Sequence, residues 1–248
     1  MKYFYSSASM GFHGEGYFWH KPFQKVFRDF PDYPIVTKSI TLNPKRGTPW
    51  NIARLPFLQS TWNKIGLHNN GFEWWCETYR SLKFSGMMKK KLIPSLYGTF
   101  DEVQQMVDGL YKRNFQFDLV EINLSCPNVK LHSEQRLPSS PFPFSLKLRH
   151  DATPFNYKLD NVKRITLNSV PSGTIFKGGI SGKLAQKYNW KFIENYRDEM
   201  NHLNISIAGC SITSLKDILF LKKIGCTEIG LGSILLIDPW LVLKTKEN

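Results

Sequence analysis

The stretch DLVEINLSCPNVKLHSEQRLPSSPF, residues 118–142, runs from a β-like segment straight into a cysteine and a proline. Its first part, 119–124, is short and apolar, as a strand buried on both faces is. It stops at Ser125-Cys126-Pro127-Asn128, with Asn123 before the cysteine and Asn128 after it. A tight turn and an active site both fit this segment taken alone, and a lone buried cysteine is usually a small inert hydrophobe. What stands at the ends of the other strand-like runs decides between them.

Seven further runs of the same kind cover 3–7, 35–38, 92–96, 144–148, 164–168, 205–208 and 228–231. Helical patterns follow several of them. After 92–96 comes TFDEVQQMVDGLYKRN, with Phe100, Val103, Met106, Val107 and Leu110 on one stripe and Thr99 and Glu102 at capping-box spacing. SGKLAQKYNWKFIENYRDEMNHL follows the sixth run, and SITSLKDILFLKKIG follows the seventh and stops at Gly225. Eight strands alternating with helices predict a single α/β domain over 1–248, a (β/α)8 TIM barrel. Residues 129–143 hold Pro138, Pro141 and Pro143, and 149–162 hold Pro154. Neither segment carries a helical stripe, so outer helices are expected to be shortened or missing around strands 4–5.

Composition sets the outer bounds. The 248 residues are 42% hydrophobic and 21% charged, an ordinary globular balance. The most apolar run, SILLIDPWLVL, is broken by Asp238-Pro239 and cannot span a bilayer. MKYFYSSASM lacks a long apolar core, so no signal peptide is expected and a cytoplasmic location is. Cys76, Cys126, Cys210 and Cys226 match neither zinc spacing nor a disulfide framework, so no metal is expected. The net charge of +13 admits a polyanion partner. Its clusters (Lys89, Lys90, Lys91; Lys222, Lys223; Lys244, Lys246) have no interleaved aromatics, so a solvated basic face is favoured over nucleic-acid binding.

In such barrels the chemistry sits at the C-terminal strand ends. There the sequence puts Lys38 and Ser39, Asn123 to Asn128, Lys147, and Asn168 with Ser169, followed by KGGISG (177–182), AGCS (208–211) and GLGS (230–233). Glycine-rich turns after the late strands suit a phosphate, lysines suit a delocalised anion, and asparagines suit the edge of an amide-like ring. Singly each is weak; their order and joint placement carry the weight.

With these pieces assembled, the chain resembles the class 1 dihydroorotate dehydrogenases, FMN-dependent barrels of pyrimidine biosynthesis. The matching motifs run in order: SSAS (6–9), TKSIT and PKRGTP (37–41, 44–49), WNKIGLHNNG (62–71), EINLSCPN (121–128), LKL (146–148), LNS (167–169), GGISG (178–182) and AGCSI with GCTEIGLGS near the end. The resemblance implies oxidation of dihydroorotate to orotate, with Cys126 as the base for the C5 proton and the C6 hydride passing to flavin N5. It assigns Lys38, Asn63, Asn123, Asn128, Asn168 and Ser169 to the substrate, helped by backbone N–H groups of Ile65, Gly66 and Leu67. It assigns FMN to Ala8, Ser9, Lys38, Ser39, Asn123 and Lys147, with its phosphate on Gly178, Gly179, Cys210, Ser211, Gly232 and Ser233. TKS and NS resemble the homodimeric type that passes electrons to fumarate. CPNVK and GGISG resemble the type with an NAD-linked iron–sulfur partner subunit. The chain departs from the family after Asn128, between Asn168 and Gly178, and at Cys210-Ser211, where the family has two glycines. A related flavin barrel acting on tRNA dihydrouridine and a catalytically impaired descendant are the competing readings.

Overall fold

The structure, a computed structural model, describes residues 1–7, 9–16, 29–88, 90–125, 136–173 and 177–247. The strand-like runs become β1 (Lys2–Tyr5), β2 (Ile35–Val36), β5 (Leu92–Ile93), β6 (Ser95–Leu96), β7 (Val120–Asn123), β8 (Phe144–Leu148), β9 (Val162–Leu167), β12 (Ser206–Ile207) and β13 (Glu228–Leu231). Four others, β3 (Ile52–Leu55), β4 (Ser60–Asn63), β10 (Val170–Pro171) and β11 (Gly179–Gly182), form a separate antiparallel sheet ordered β10-β11-β4-β3.

The first group forms two parallel sheets, β13-β1-β2-β5 and β6-β7-β8-β9-β12. β5 and β6 belong to one run broken at Pro94, which has no N–H to give the ladder but whose carbonyl accepts from Glu121 N. Two seams join the sheets. At one, Ile40 bridges Leu96, with Ile40 N donating to Ser95 O and Tyr97 N to Ile40 O. At the other, Gly209 bridges Ile229, with Gly209 N donating to Glu228 O and Gly230 N to Gly209 O. The ring is the (β/α)8 barrel that the alternating pattern predicts, with seams of single bridges where the strands are shortest.

Side chains alternate between the two faces of each strand. Val120, Ile122, Phe144, Leu146, Leu148, Ile165 and Leu167 face outward into one large core shared with the helices. The barrel interior is divided. Phe4, Val36, Ile93 and Ala208 make a small apolar plug, while Ser95, Glu121, Ser145, Arg164 and Thr166 are polar and buried.

Among the described residues the helices are α1 (Phe72–Phe84), α2 (Phe100–Lys112), α3 (Lys183–His202), α4 (Leu215–Lys223), α5 (Ile234–Ile237) and α6 (Trp240–Lys244). In α2 the capping box forms as its spacing predicts, and Val103, Met106, Val107 and Leu110 are buried. α4 ends at Lys223 with Ile224 as its C-cap, and Gly225 follows at φ 91°, the left-handed exit glycine allows. α1 has no capping side chain, only Gly71 at φ 87°, although Phe72, Trp75, Cys76 and Tyr79 give it a buried stripe. Between β7 and β8 the described residues 136–143 contain no helix, and 149–161 contain only the 3-10 turn Pro154–Asn156, as the prolines there predict. Part of the basic character is spent locally. Lys90 Nζ donates to Pro31 O and lies over the Tyr5 ring, and Lys91 pairs with Asp118.

Thr99→Ala removes the acceptor that holds Glu102 N. It is expected to lower unfolding stability by about 1 kcal/mol, measured by urea denaturation, with the α2 stripe still buried.

Candidate active site

The C-terminal strand ends open into one cavity of about 1260 Å³, part of it open to solvent. Its residues follow the strand order. Ser6, Ser7 and Ser9 come from the end of β1, and Cys210, Ser211, Gly230, Gly232 and Ser233 from the ends of β12 and β13, the neighbouring strands. Lys38 and Ser39 extend β2, Asn123 ends β7, Lys147 is on β8, and Asn168 and Ser169 follow β9. The antiparallel sheet covers the opening and adds Ile52, Thr61, Asn63 and Ser181, with Ile65, Gly66 and Leu67 just beyond β4. The cavity thus has one end rich in serine and glycine and another carrying two lysines and three asparagines.

Short hydrogen bonds hold these side chains. Asn123 Nδ2 donates to Ser39 Oγ at 2.8 Å, and Ser125 N donates to Asn123 Oδ1 at 3.2 Å. Ser125 Oγ donates to Lys147 O at 2.9 Å, and Asn168 Nδ2 donates to Ser125 O at 2.7 Å. Ser169 N donates to Asn168 Oδ1 at 2.8 Å. The residue that precedes Cys126 is therefore tied to Asn123, Lys147 and Asn168, three residues that line the cavity. Lys38 is 7% exposed, with its ammonium 5.2 Å from the Phe12 ring centroid. Burial lowers its pKa to about 8, and Glu15 only partly opposes that.

Most residues expected at the site line the cavity: Ser9, Lys38, Ser39, Asn63, Ile65, Gly66, Leu67, Asn123, Lys147, Asn168, Ser169, Cys210, Ser211, Gly232 and Ser233. Ala8, Cys126 and Asn128 lie outside the described residues. Gly178 and Gly179 are not among the lining residues; they lie along β4. A Cβ on Gly178 would sit 2.5 Å from Trp62 Nε1, and one on Gly182 2.5 Å from Gln59 O, so these two glycines permit close strand approach. Sequence reasoning missed Ser6, Ser7, Thr61, Ser181 and Asn189. Asn189 belongs to a helical clamp. Gln186 Nε2 donates to Ser211 O, Asn189 Nδ2 to Ser211 Oγ, and Trp190 Nε1 to Cys210 O. Their i, i+3, i+4 spacing on α3 was the available signal. The clamp holds Ser211 at φ 61°, a conformation that favours glycine.

The described cysteines are poor bases. Burial pushes Cys76 and Cys210 up to about 12 and Cys226 to about 11. Among the described residues no cluster of His, Cys, Asp and Glu is able to hold a metal, and no helix is long and apolar enough to cross a membrane.

Fold and site together define a barrel whose mouth suits a phosphate at one end and a flat, amide-edged ring at the other. The family model described as dihydroorotate dehydrogenase matches residues 11–140. The chain is 28% identical over 237 residues to the dihydroorotate dehydrogenase B (NAD(+)), catalytic subunit, of Thermotoga petrophila, covering 84% of each chain. A protein of the same name from Geotalea uraniireducens is 34% identical over 112 residues, 43% of this chain and 35% of that one. The crystal structure of DHODH in complex with ferulenol from Eimeria tenella superposes with a TM-score of 0.70 at 13% identity, over 100% of this chain and 80% of that one. The chain belongs to the dihydroorotate dehydrogenase family. It is a shortened member, an oxidoreductase acting on CH–CH bonds with FMN as cofactor. The donor set fits that cofactor: hydroxyls and glycine backbone at the end formed by β12, β13 and β1, and lysine and asparagine N–H groups toward the ring.

Between about pH 8 and the ordinary lysine value of about 10.4, the unfolded chain holds the Lys38 proton more tightly than the folded one, so this group adds stability as pH rises. Wild-type protein is expected to gain stability relative to Lys38→Met from about pH 8 to about pH 10 in urea denaturation of the cofactor-free form. A pH-independent difference would mean that the buried ammonium does not carry the shift.

Proposed function

We propose that residues 1–248 form one domain that oxidises (S)-dihydroorotate to orotate in pyrimidine biosynthesis, in the cytoplasm. The observation that carries this reading is the convergence of Lys38, Asn63, Asn123, Lys147 and Asn168 on a single cavity. FMN, when bound, supplies the acceptor for the hydride that leaves C6.

The chain's own residues do the rest. Cys126, which lies outside the described residues and which the family resemblance assigns as the base, takes the C5 proton as a thiolate. Loss of that proton and of the C6 hydride leaves the C5=C6 double bond of orotate. Asn63, Asn123 and Asn168 orient the ring and its carboxylate, with Ser169 and the backbone of Ile65, Gly66 and Leu67 beside them; Asn128 completes this set from outside the described residues. Lys38 and Lys147 offer positive charge to the substrate carboxylate and to the N1/O2 edge of the flavin. Ser9, Ser39, Cys210, Ser211, Gly232 and Ser233 hold the cofactor, and the α3 clamp keeps Ser211 in place in a position where the family has glycine.

The 84% coverage of an NAD(+)-type catalytic subunit supports an NAD-linked partner subunit as electron acceptor over fumarate. Purified protein is expected to be yellow with FMN bound 1:1 and to bleach when dihydroorotate is added without oxygen. Bound FMN with no bleaching refutes the reading. Cys126→Ala is expected to keep the flavin and slow bleaching by about 100-fold or more; unchanged bleaching removes Cys126 as base.

A further inference from the structure

Beneath the cavity floor, in the polar half of the barrel interior, Glu121 is 1% exposed and sits one inward position below Asn123 on β7. Its carboxylate accepts from Ser95 Oγ at 2.8 Å and from Thr166 Oγ1 at 3.0 Å. Ser95 Oγ lies 3.4 Å from Ser39 Oγ, which accepts from Asn123 Nδ2 at 2.8 Å. A hydroxyl has one proton, and a carboxylate is acceptor-only. Once Ser95 gives its proton to Glu121, it meets Ser39 only as an acceptor. Ser39 must then donate downward, which leaves its oxygen to receive the Asn123 N–H. The direction of every bond in the row follows from the charge at its foot.

We propose that Glu121 is a positioning residue for recognition of the pyrimidine ring. Resting on the reading of the cavity as a flavin and pyrimidine site, it fixes the two serine hydroxyls and so the amide edge of Asn123. One Asn123 N–H is spent on Ser39, and Oδ1 receives Ser125 N–H. The remaining N–H is the group turned to the ligand. Asn123 therefore reads a carbonyl or anionic oxygen. Arg164, stacked over Phe4 at 4.0 Å and paired with Glu228, supplies positive charge to the same layer. A purely structural role would confine Glu121 to stabilising that layer.

Two variants break the row at different links: Glu121→Gln, whose amide is able to donate upward, and Ser95→Ala, which leaves the charge in place. In ¹⁵N-labelled cofactor-free protein, the Asn123 side-chain amide signal, identified by its loss in Asn123→Ala, is expected to shift in both. In FMN-loaded protein, orotate affinity, read from the flavin absorption spectrum, is expected to fall about tenfold in each single variant. FMN affinity, read by flavin fluorescence, is expected to stay within about threefold. Because the links act in series, the double variant is expected to lose no more than the worse single one. An unshifted amide in both variants overturns the row itself. Orotate affinity within about twofold of wild type in both, or losses that add in the double variant, overturns the positioning role. Wild-type protein that binds FMN but shows no response to orotate refutes the proposed site instead, and the amide signal still tests the row.

Discussion

Everything at the mouth of this barrel depends on the two-residue alternation of its parallel strands. Pairings such as Glu121 with Ser145 and Asn123 with Lys147 bring like-facing positions of adjacent strands to the same level. One face of each strand therefore feeds the apolar layer under the helices, and the other builds rows of polar groups inside the ring. The upper row opens into the cavity. The row below is buried, and its members bond largely to one another: Ser95 and Thr166 to Glu121, and Arg164 to Ser145 and Glu228, with only Arg164 Nη2 of the guanidinium left without a partner among the described residues. A slip of one residue in any of these strands would exchange both layers.

The site is supported from two directions. From below, the buried row orders Ser39 and Asn123. From the side, Ser125 ties β7 to β8 and to Asn168, and the α3 clamp secures Cys210 and Ser211. These supports come from elements distant in sequence, as a preorganised site requires if its donors are to hold their places without a ligand. Lys38 shows the cost of such burial: its ammonium is disfavoured in the folded chain, and an anionic ligand would relieve that.

Much of this was legible in the sequence. The strand runs, the α2 capping box, the Gly225 exit and the lack of helices around Pro141 and Pro154 follow from local pattern and local sterics. The cavity residues on strand ends were legible because a barrel gathers such ends at one face. The antiparallel sheet was not. GGISG looks like a phosphate loop in isolation, and only pairing with β4, more than a hundred residues earlier, makes Gly178 and Gly182 packing glycines. α1 lacked a capping signal, and the α3 clamp needed the position of Ser211 before its side chains had a meaning.

By itself, the sequence determined the strands of the barrel and the helices α2, α3 and α4, and which residues of chemical use stand at the strand ends. Those properties depend on neighbours within a few residues. Only the tertiary structure decided that Lys38, Asn123, Lys147 and Asn168 share one cavity, that Gly178 and Gly179 lie along β4, and that Glu121 stands beneath Asn123 with two serine hydroxyls between them. Register and ring closure are relations between distant strands, and local propensity has no means of recording them.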